Sequence, residues 1–238
     1  MADKILIGEI PVEVEFKAIK NIHLSVYPPD GDVRVAAPER MDLDIIRLYI
    51  ISKIGWIKQQ QRKFQAQKRE TPREYLDIES HYVWGKRYLL NIIEADQAPS
   101  VQLKHDQLIL TVRPGSDLRK REEVVAAWYR EEIRRIAAPL FEKWEDKLGV
   151  NANKIIVQWM KTKWGSCNPV SKNIHLNTEL AKKPEICLEY IIIHELIHLI
   201  EPSHNAYFIS LMDEYMPNWK YVRDELNRAP LGHVEWGY

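Results

Sequence analysis

Cysteine is nearly missing from this chain: Cys167 and Cys187 are the only two in 238 residues. That is too few for a disulfide framework, so a reducing cytoplasm is the expected location. No stretch is apolar for long enough to cross a bilayer, because the longest, Tyr190 to Ile200, is cut by His194, Glu195 and His198. Neither sign of charge is in excess, with 34 Lys plus Arg against 34 Asp plus Glu. A balanced chain has no long-range field to draw nucleic acid or an anionic membrane, and strong binding to either is not expected. Met1 to Phe16 interleave Lys4, Glu9, Glu13 and Glu15 with apolar residues, unlike a secretory h-region or an Arg-rich transit helix. Internal repeats and low-complexity linkers are absent too. What remains is a soluble globular composition, 45% hydrophobic, with room for one large core or two small ones.

Apolar residues alternate at Ile5, Ile7, Val12, Val14 and Phe16, then at Ile22, Leu24 and Val26, with a turn at 28–32 before Val33 and Val35. This pattern predicts antiparallel strands with a hairpin. From 42 to about 68 the apolar spacing becomes that of a helix, polar after Gln59. Strand-like runs at 81–94 and 101–113 are expected to extend the N-terminal sheet. Residues 117–148 repeat apolar positions at helical spacing, with Gly149 as a stop and Pro139 expected to kink or divide the helix. Two short strands, Ile155 to Met160 and Asn173 to Asn177, flank a loop, Pro184 is suited to the first position of a further helix, and 207–227 read as a helix interrupted at Met216-Pro217. The expected organisation is α+β, with a β-rich region at 1–116, a second region at 117–238 and a soft boundary between them.

The chemistry is concentrated in His194-Glu195-Leu196-Ile197-His198. Residues four apart share a helix face, so two imidazoles can bind one metal while Glu195, about 100° around the axis, reaches a water on that metal. The surrounding helix is apolar nearly all round, hence buried, and polar groups in it need partners. The plain alternative is a pair of core histidines bonded to carbonyls, with Glu195 paired to a lysine.

A catalytic zinc usually takes three protein ligands. His204 is the expected third, presented from a turn after Pro202. Glu201 is the rival, although a third ligand on the same helix would crowd one side of a tetrahedral site. Zinc would acidify a water, Glu195 would take its proton, and the oxygen would attack a carbonyl or phosphoryl centre. Lys161, Lys163, Ser166 and Tyr207 are candidates for stabilising the oxyanion. A non-catalytic structural zinc would need a fourth ligand, for which Cys167 is the near candidate.

Lys161 to Cys167 (KTKWGSC), Ile174 to Asn177, Pro184, the Tyr190-to-Leu199 stretch with its H-E-x-x-H, and His204 with Phe208 resemble the YgjP-like metallopeptidase family, related to SprT-like zincins. The likeness extends to Val35 through Pro38, Trp56-Ile57 and Gly85 through Tyr88. It implies a zincin-like domain, a cytoplasmic location, zinc on His194, His198 and His204, Glu195 as base, and a cleft lined by 161–167 and 174–177. Ile209, Lys163 and Ile200-Glu-Pro202 depart from the family pattern and bear on the shape of the substrate pocket. Members of the family are discussed both as proteases and as nucleoside triphosphate hydrolases.

Two functions follow. In a metallopeptidase, Ile174 to Asn177 would pair with an extended peptide. In a nucleoside triphosphate pyrophosphohydrolase acting on a UTP-like substrate, Lys161 and Lys163 would hold phosphates, with the backbone of Trp164, Gly165 and Ser166 beside them and the Trp164 ring stacked on a base. Lys161, Lys163, Trp164, Gly165, Ser166 and Asn177 are the candidate substrate-binding residues. The plain alternative for the loop is a buried tryptophan between two solvated lysines.

Overall fold

Residues whose apolar side chains alternate can bury one face of a strand, and the first such set does so. In the computed structural model, which describes residues 2–27, 31–66, 73–160 and 163–228, four strands form a sheet: β1 (Ala2–Ile7), β2 (Ile10–Lys17), β3 (His23–Tyr27) and β4 (Asp32–Pro38). Their order is β1-β2-β4-β3. β1 with β2 and β3 with β4 are antiparallel, as expected, while β2 and β4 run parallel. Alternation marks a half-buried strand but not the direction of its neighbour, and β4 enters between β2 and β3. Part of the expected turn, residues 28–30, lies outside the described residues.

The helix expected over 42–68 is two helices, α1 (Leu43–Ser52) and α2 (Ile54–Ala66). Asp42 caps the first by accepting a hydrogen bond from Asp44 N–H at 2.8 Å, and Lys53 ends it by turning its N–H back to the Ile50 carbonyl. Val12, Val14, Val33 and Val35 pack with Ile46, Ile50 and Ile57 in the core of this unit.

The strands at 81–94 and 101–113 do not extend that sheet. β5 (Ser80–Val83), β6 (Lys86–Glu94), β7 (Ser100–Lys104) and β8 (Gln107–Val112) form a second sheet in the order β5-β6-β8-β7, with β6 and β8 parallel. Their inward residues, including Leu90, Leu108 and Leu110, share a core with the helices that follow. The chain accordingly divides into one compact unit up to Glu70 and another over Thr71–His233, and position 116 falls inside the second, between β8 and the next helix.

That helix, α3 (Leu118–Leu148), starts at Asp117, whose carboxylate accepts from Lys120 N–H at 2.8 Å. It ends at Gly149, which has the left-handed backbone (φ 66°) of a helix C-terminus. It runs unbroken through Pro139, so the proline does not divide it. Val125, Tyr129, Ile133, Ala137, Phe141 and Trp144 mark its buried stripe.

A three-stranded sheet follows: β9 (Lys154–Gln158), β10 (Gly165–Asn168) and β11 (Asn173–Asn177) in the order β10-β11-β9. A 3-10 turn at Thr178–Lys182 leads to α4 (Glu185–Ile197), and α5 (Ala206–Tyr215) and α6 (Trp219–Arg228) complete the described chain. The break between the last two falls at the expected Met216-Pro217. No described helix is long and apolar enough to cross a membrane.

Candidate metal centre

The centre is built on the last turn of α4. Pro184 is the cap residue ahead of this helix, not its first helical residue, and Ile191, Ile192, Ile193, Leu196 and Ile197 bury it. Helical bonding tightens past Ile197: Leu199 N–H reaches Leu196 O and Ile200 N–H reaches Ile197 O. The chain reverses at Pro202, and Asn205 caps α5 by accepting from Phe208 N–H at 3.0 Å.

This reversal brings His204 back over the helix. His204 Nε2 is 3.0 Å from His194 Nε2, and one ligand atom from each of His194, His198 and His204 lies within 4.8 Å of the others. Nitrogens at about 2.0–2.1 Å from a tetrahedral ion are separated by about 3.3 Å, so the rings are close to the spacing a shared ion requires. His198 Nδ1 lies 3.1 Å from the Glu201 carbonyl. Donating there puts the ring proton on Nδ1 and leaves the Nε2 lone pair for a metal. Burial, with the neighbouring rings, pushes His194 down to about 3. Burial also lowers His198. Both are therefore neutral donors at neutral pH, and the three residues fit a metal ion.

Phe208, buried on α5, packs its ring 5.0, 4.8 and 4.7 Å from the rings of His194, His198 and His204. It is a shared wall that limits how far the three can swing. The sequence marks it only as part of a family pattern.

Glu201 stands apart as a ligand. Its carboxylate is exposed and accepts from the N–H and hydroxyl of Ser203 at 2.9 and 2.7 Å, which holds it below its ordinary pKa. Its backbone carbonyl is the part that serves the site, by orienting His198.

Glu195 is 5% exposed. Burial raises its pKa to about 8, opposed by Lys163 and by a hydrogen bond from the Cys167 backbone N–H. Gly165 is what lets β10 come so close. A Cβ there would stand 2.7 Å from Glu195 Oε1 and 2.7 Å from Ile191 Cγ2.

The cleft beside these groups measures about 520 Å³, and Lys163, Trp164, Gly165 and Ser166 line it together with the three histidines and Glu195. Lys161 lies outside the described residues. Asn177 is buried, and its side-chain polar atoms are committed to backbone. Nδ2 donates to Met160 O (2.8 Å) and Lys163 O (2.7 Å), and Oδ1 accepts from Met160 N–H (3.3 Å) and Glu179 N–H (3.1 Å). Tyr207 is 54% exposed and is not among the lining residues. Cys167 lines the cleft but does not join the histidine cluster, and burial, with Glu195, pushes its thiol up to about 11.

Tyr190, Arg223, Leu226 and Asn227 also line the cleft. Sequence reasoning missed the last three because α6 reaches the site only through the fold, and it gave Tyr190, one turn before His194 on α4, no role of its own.

The expected substrate-pairing strand requires correction. β11 is bonded to β10 on one side and β9 on the other, so it has no free edge for a peptide. β10 has one. Asn177 N–H bonds to Trp164 O at 2.9 Å, and bonded pairs alternate in an antiparallel ladder. Ser166 and His175 therefore form the next bonded pair, and the backbone groups of Gly165 and Cys167 point to the outer edge.

The family profile described as YgjP-like, metallopeptidase domain, matches residues 20–229. No curated protein sequence matches. Two crystal structures of metallopeptidase zymogens are similar over part of the chain. Pyrococcus abyssi abylysin is 24% identical over 39% of this chain and 97% of its own, with a TM-score of 0.35. Methanocaldococcus jannaschii jannalysin is 26% identical over 40% of this chain and 92% of its own, with a TM-score of 0.34.

Proposed function

Because this chain belongs to the YgjP-like metallopeptidase domain family, we propose that it is a zinc metallopeptidase in which His194, His198 and His204 hold the ion and Glu195 is the general base. The observation that carries this reading is the convergence of three imidazole nitrogens beside a buried carboxylate. An all-imidazole set suits zinc, and three ligands leave one position open for chemistry. When bound, such an ion polarises a carbonyl oxygen and acidifies water.

The chain's own residues do the rest. Glu195 accepts a proton from the attacking water on its carboxylate and passes it to the departing amine. The Cys167 N–H and the Lys163 ammonium steady the charged form of Glu195 against its burial. Peptide substrate adds to the outer edge of β10 through the outward-facing backbone of Gly165, since the Cys167 N–H is already taken by Glu195. Asn177 acts behind this edge, tying Met160 and Lys163 in place. Both cysteines are free, which supports work in the cytoplasm.

Lys163 at the cleft favours a second reading, hydrolysis of a nucleoside triphosphate with its phosphates on Lys161 and Lys163. A parallel assay of the metal-loaded protein on a peptide library and on nucleoside triphosphates separates the two. On the preferred substrate, Glu195→Gln should keep its metal and lose about 10²–10⁴-fold in turnover, whereas His194→Ala or His198→Ala should lose most of the metal. Near-normal turnover by a metal-replete Gln variant would exclude Glu195 as the base.

A further inference from the structure

Over the whole chain basic and acidic residues balance, yet the cleft does not. Apart from Glu195, the charged side chains that line it are Lys163 and Arg223, both cations. Lys163 acts on Glu195. Arg223 stands elsewhere, on α6, and is held on two sides. Its Nε and Nη2 donate to Asp224 Oδ1 at 3.0 and 2.9 Å, and its guanidinium carbon lies 5.2 Å from the centre of the Trp219 ring. Trp219 is fixed in turn, donating from Nε1 to Asp213 Oδ1 at 2.7 Å and stacking on Tyr190 with ring planes 7° apart. Tyr190 meets the edge of His194 at 5.9 Å between ring centroids. A ladder of rings thus runs from the histidine cluster to Arg223, and Nη1 of the guanidinium makes no hydrogen bond among the described residues.

We propose that Arg223 is a specificity-determining residue, receiving a carboxylate of the substrate that flanks the scissile bond. The proposal rests on the peptidase reading above. A guanidinium fixed by an aromatic face and one carboxylate loses little freedom when it takes a second carboxylate, and its planar fork matches that group. Asp224 already offsets part of its charge, which suits a singly charged partner better than a phosphate chain. Two sources supply such a group: the C-terminus of a short peptide or an acidic side chain near the cut.

The test is equilibrium binding, by calorimetry, to metal-loaded protein carrying Glu195→Gln, so that no turnover intervenes. Acetylated pentapeptides of one sequence are compared as free acid and amide, and with Glu or Gln beside the scissile position. At least one carboxylate should raise affinity about tenfold or more over the uncharged peptide. The free-acid and Glu arms identify its source. Arg223→Gln should abolish that ratio, and Arg223→Lys should restore part of it. A ratio that persists in Arg223→Gln, affinities that all fall together, or no carboxylate preference in the parent overturns the proposal. Arg223-dependent binding of tripolyphosphate without any for carboxylates also overturns it. If the wild-type protein hydrolyses no peptide, the peptidase reading alone fails, because the binding ratios do not depend on turnover.

Discussion

Gly165 and His81 show opposite uses of burial at single residues. At Gly165 the space a side chain needs is already filled, by Glu195 Oε1 and Ile191 Cγ2 at 2.7 Å and Glu195 Cγ at 2.9 Å from an ideal Cβ. Gly165→Ala should therefore cost about 1–3 kcal/mol through overpacking. It should also lower kcat about 10²-fold by displacing the carboxylate, with metal content unchanged. Thermal melting, metal analysis and steady-state kinetics on one preparation check this, and unchanged kinetics would disprove the close approach. His81 is fully buried, with neither ring nitrogen hydrogen-bonded. Burial, then Arg73 and Lys182, lower its pKa to about 3 from 6.5. The unfolded chain thus takes up this proton first as pH falls. The stability tied to a neutral His81 is complete above about pH 6.5 and erodes toward pH 3, by about 2 kcal/mol at pH 5. His81→Leu should flatten the difference in urea stability between pH 7 and pH 5. An unaltered difference would assign the acid sensitivity to other groups.

Strands, helix ends and the turns between them do the positioning at the next scale. Asn177 ends β11, caps the following turn and ties down the segment carrying Lys163 through four hydrogen bonds to backbone. Asn177→Ala strands those buried backbone groups, with an expected loss of about 1–3 kcal/mol and a raised KM as Lys163 drifts. A variant with normal KM and melting temperature would show that the clamp is dispensable. The H-E-x-x-H spacing placed two imidazoles on one helix face from sequence alone. The turn that returns His204 depends on helix tightening after Ile197 and on capping by Asn205, details that spacing does not encode. Choosing β11 as the peptide-pairing strand failed for a similar reason. Its apolar pattern is that of a buried strand, but whether an edge is free depends on partners from elsewhere in the chain.

Across the whole molecule, the two four-stranded sheets share a connectivity: an antiparallel pair, a parallel central pair and a second antiparallel pair, ordered β1-β2-β4-β3 and β5-β6-β8-β7. No sequence repeat announces it, since topology constrains only which positions are apolar and where the chain turns. Charge is also a property of the whole. With 34 basic and 34 acidic residues, we expect DNA binding at physiological salt to be weak and nonspecific. Tight binding with a steep salt slope in a titration would show that a local patch outweighs the balance.

The sequence by itself determined the α+β composition, the helix carrying H-E-x-x-H, the candidate set of three histidines and the buried carboxylate, because these follow from local periodicity and from residue chemistry at fixed spacing. The tertiary structure decided that strands 81–113 form their own sheet, that β11 is paired on both sides, that Asn177 serves the backbone, and that α6 brings Arg223 to the cleft. Each of these joins residues distant in the chain, and such contacts are selected by packing and by competition for hydrogen-bonding partners, which no local window of sequence contains.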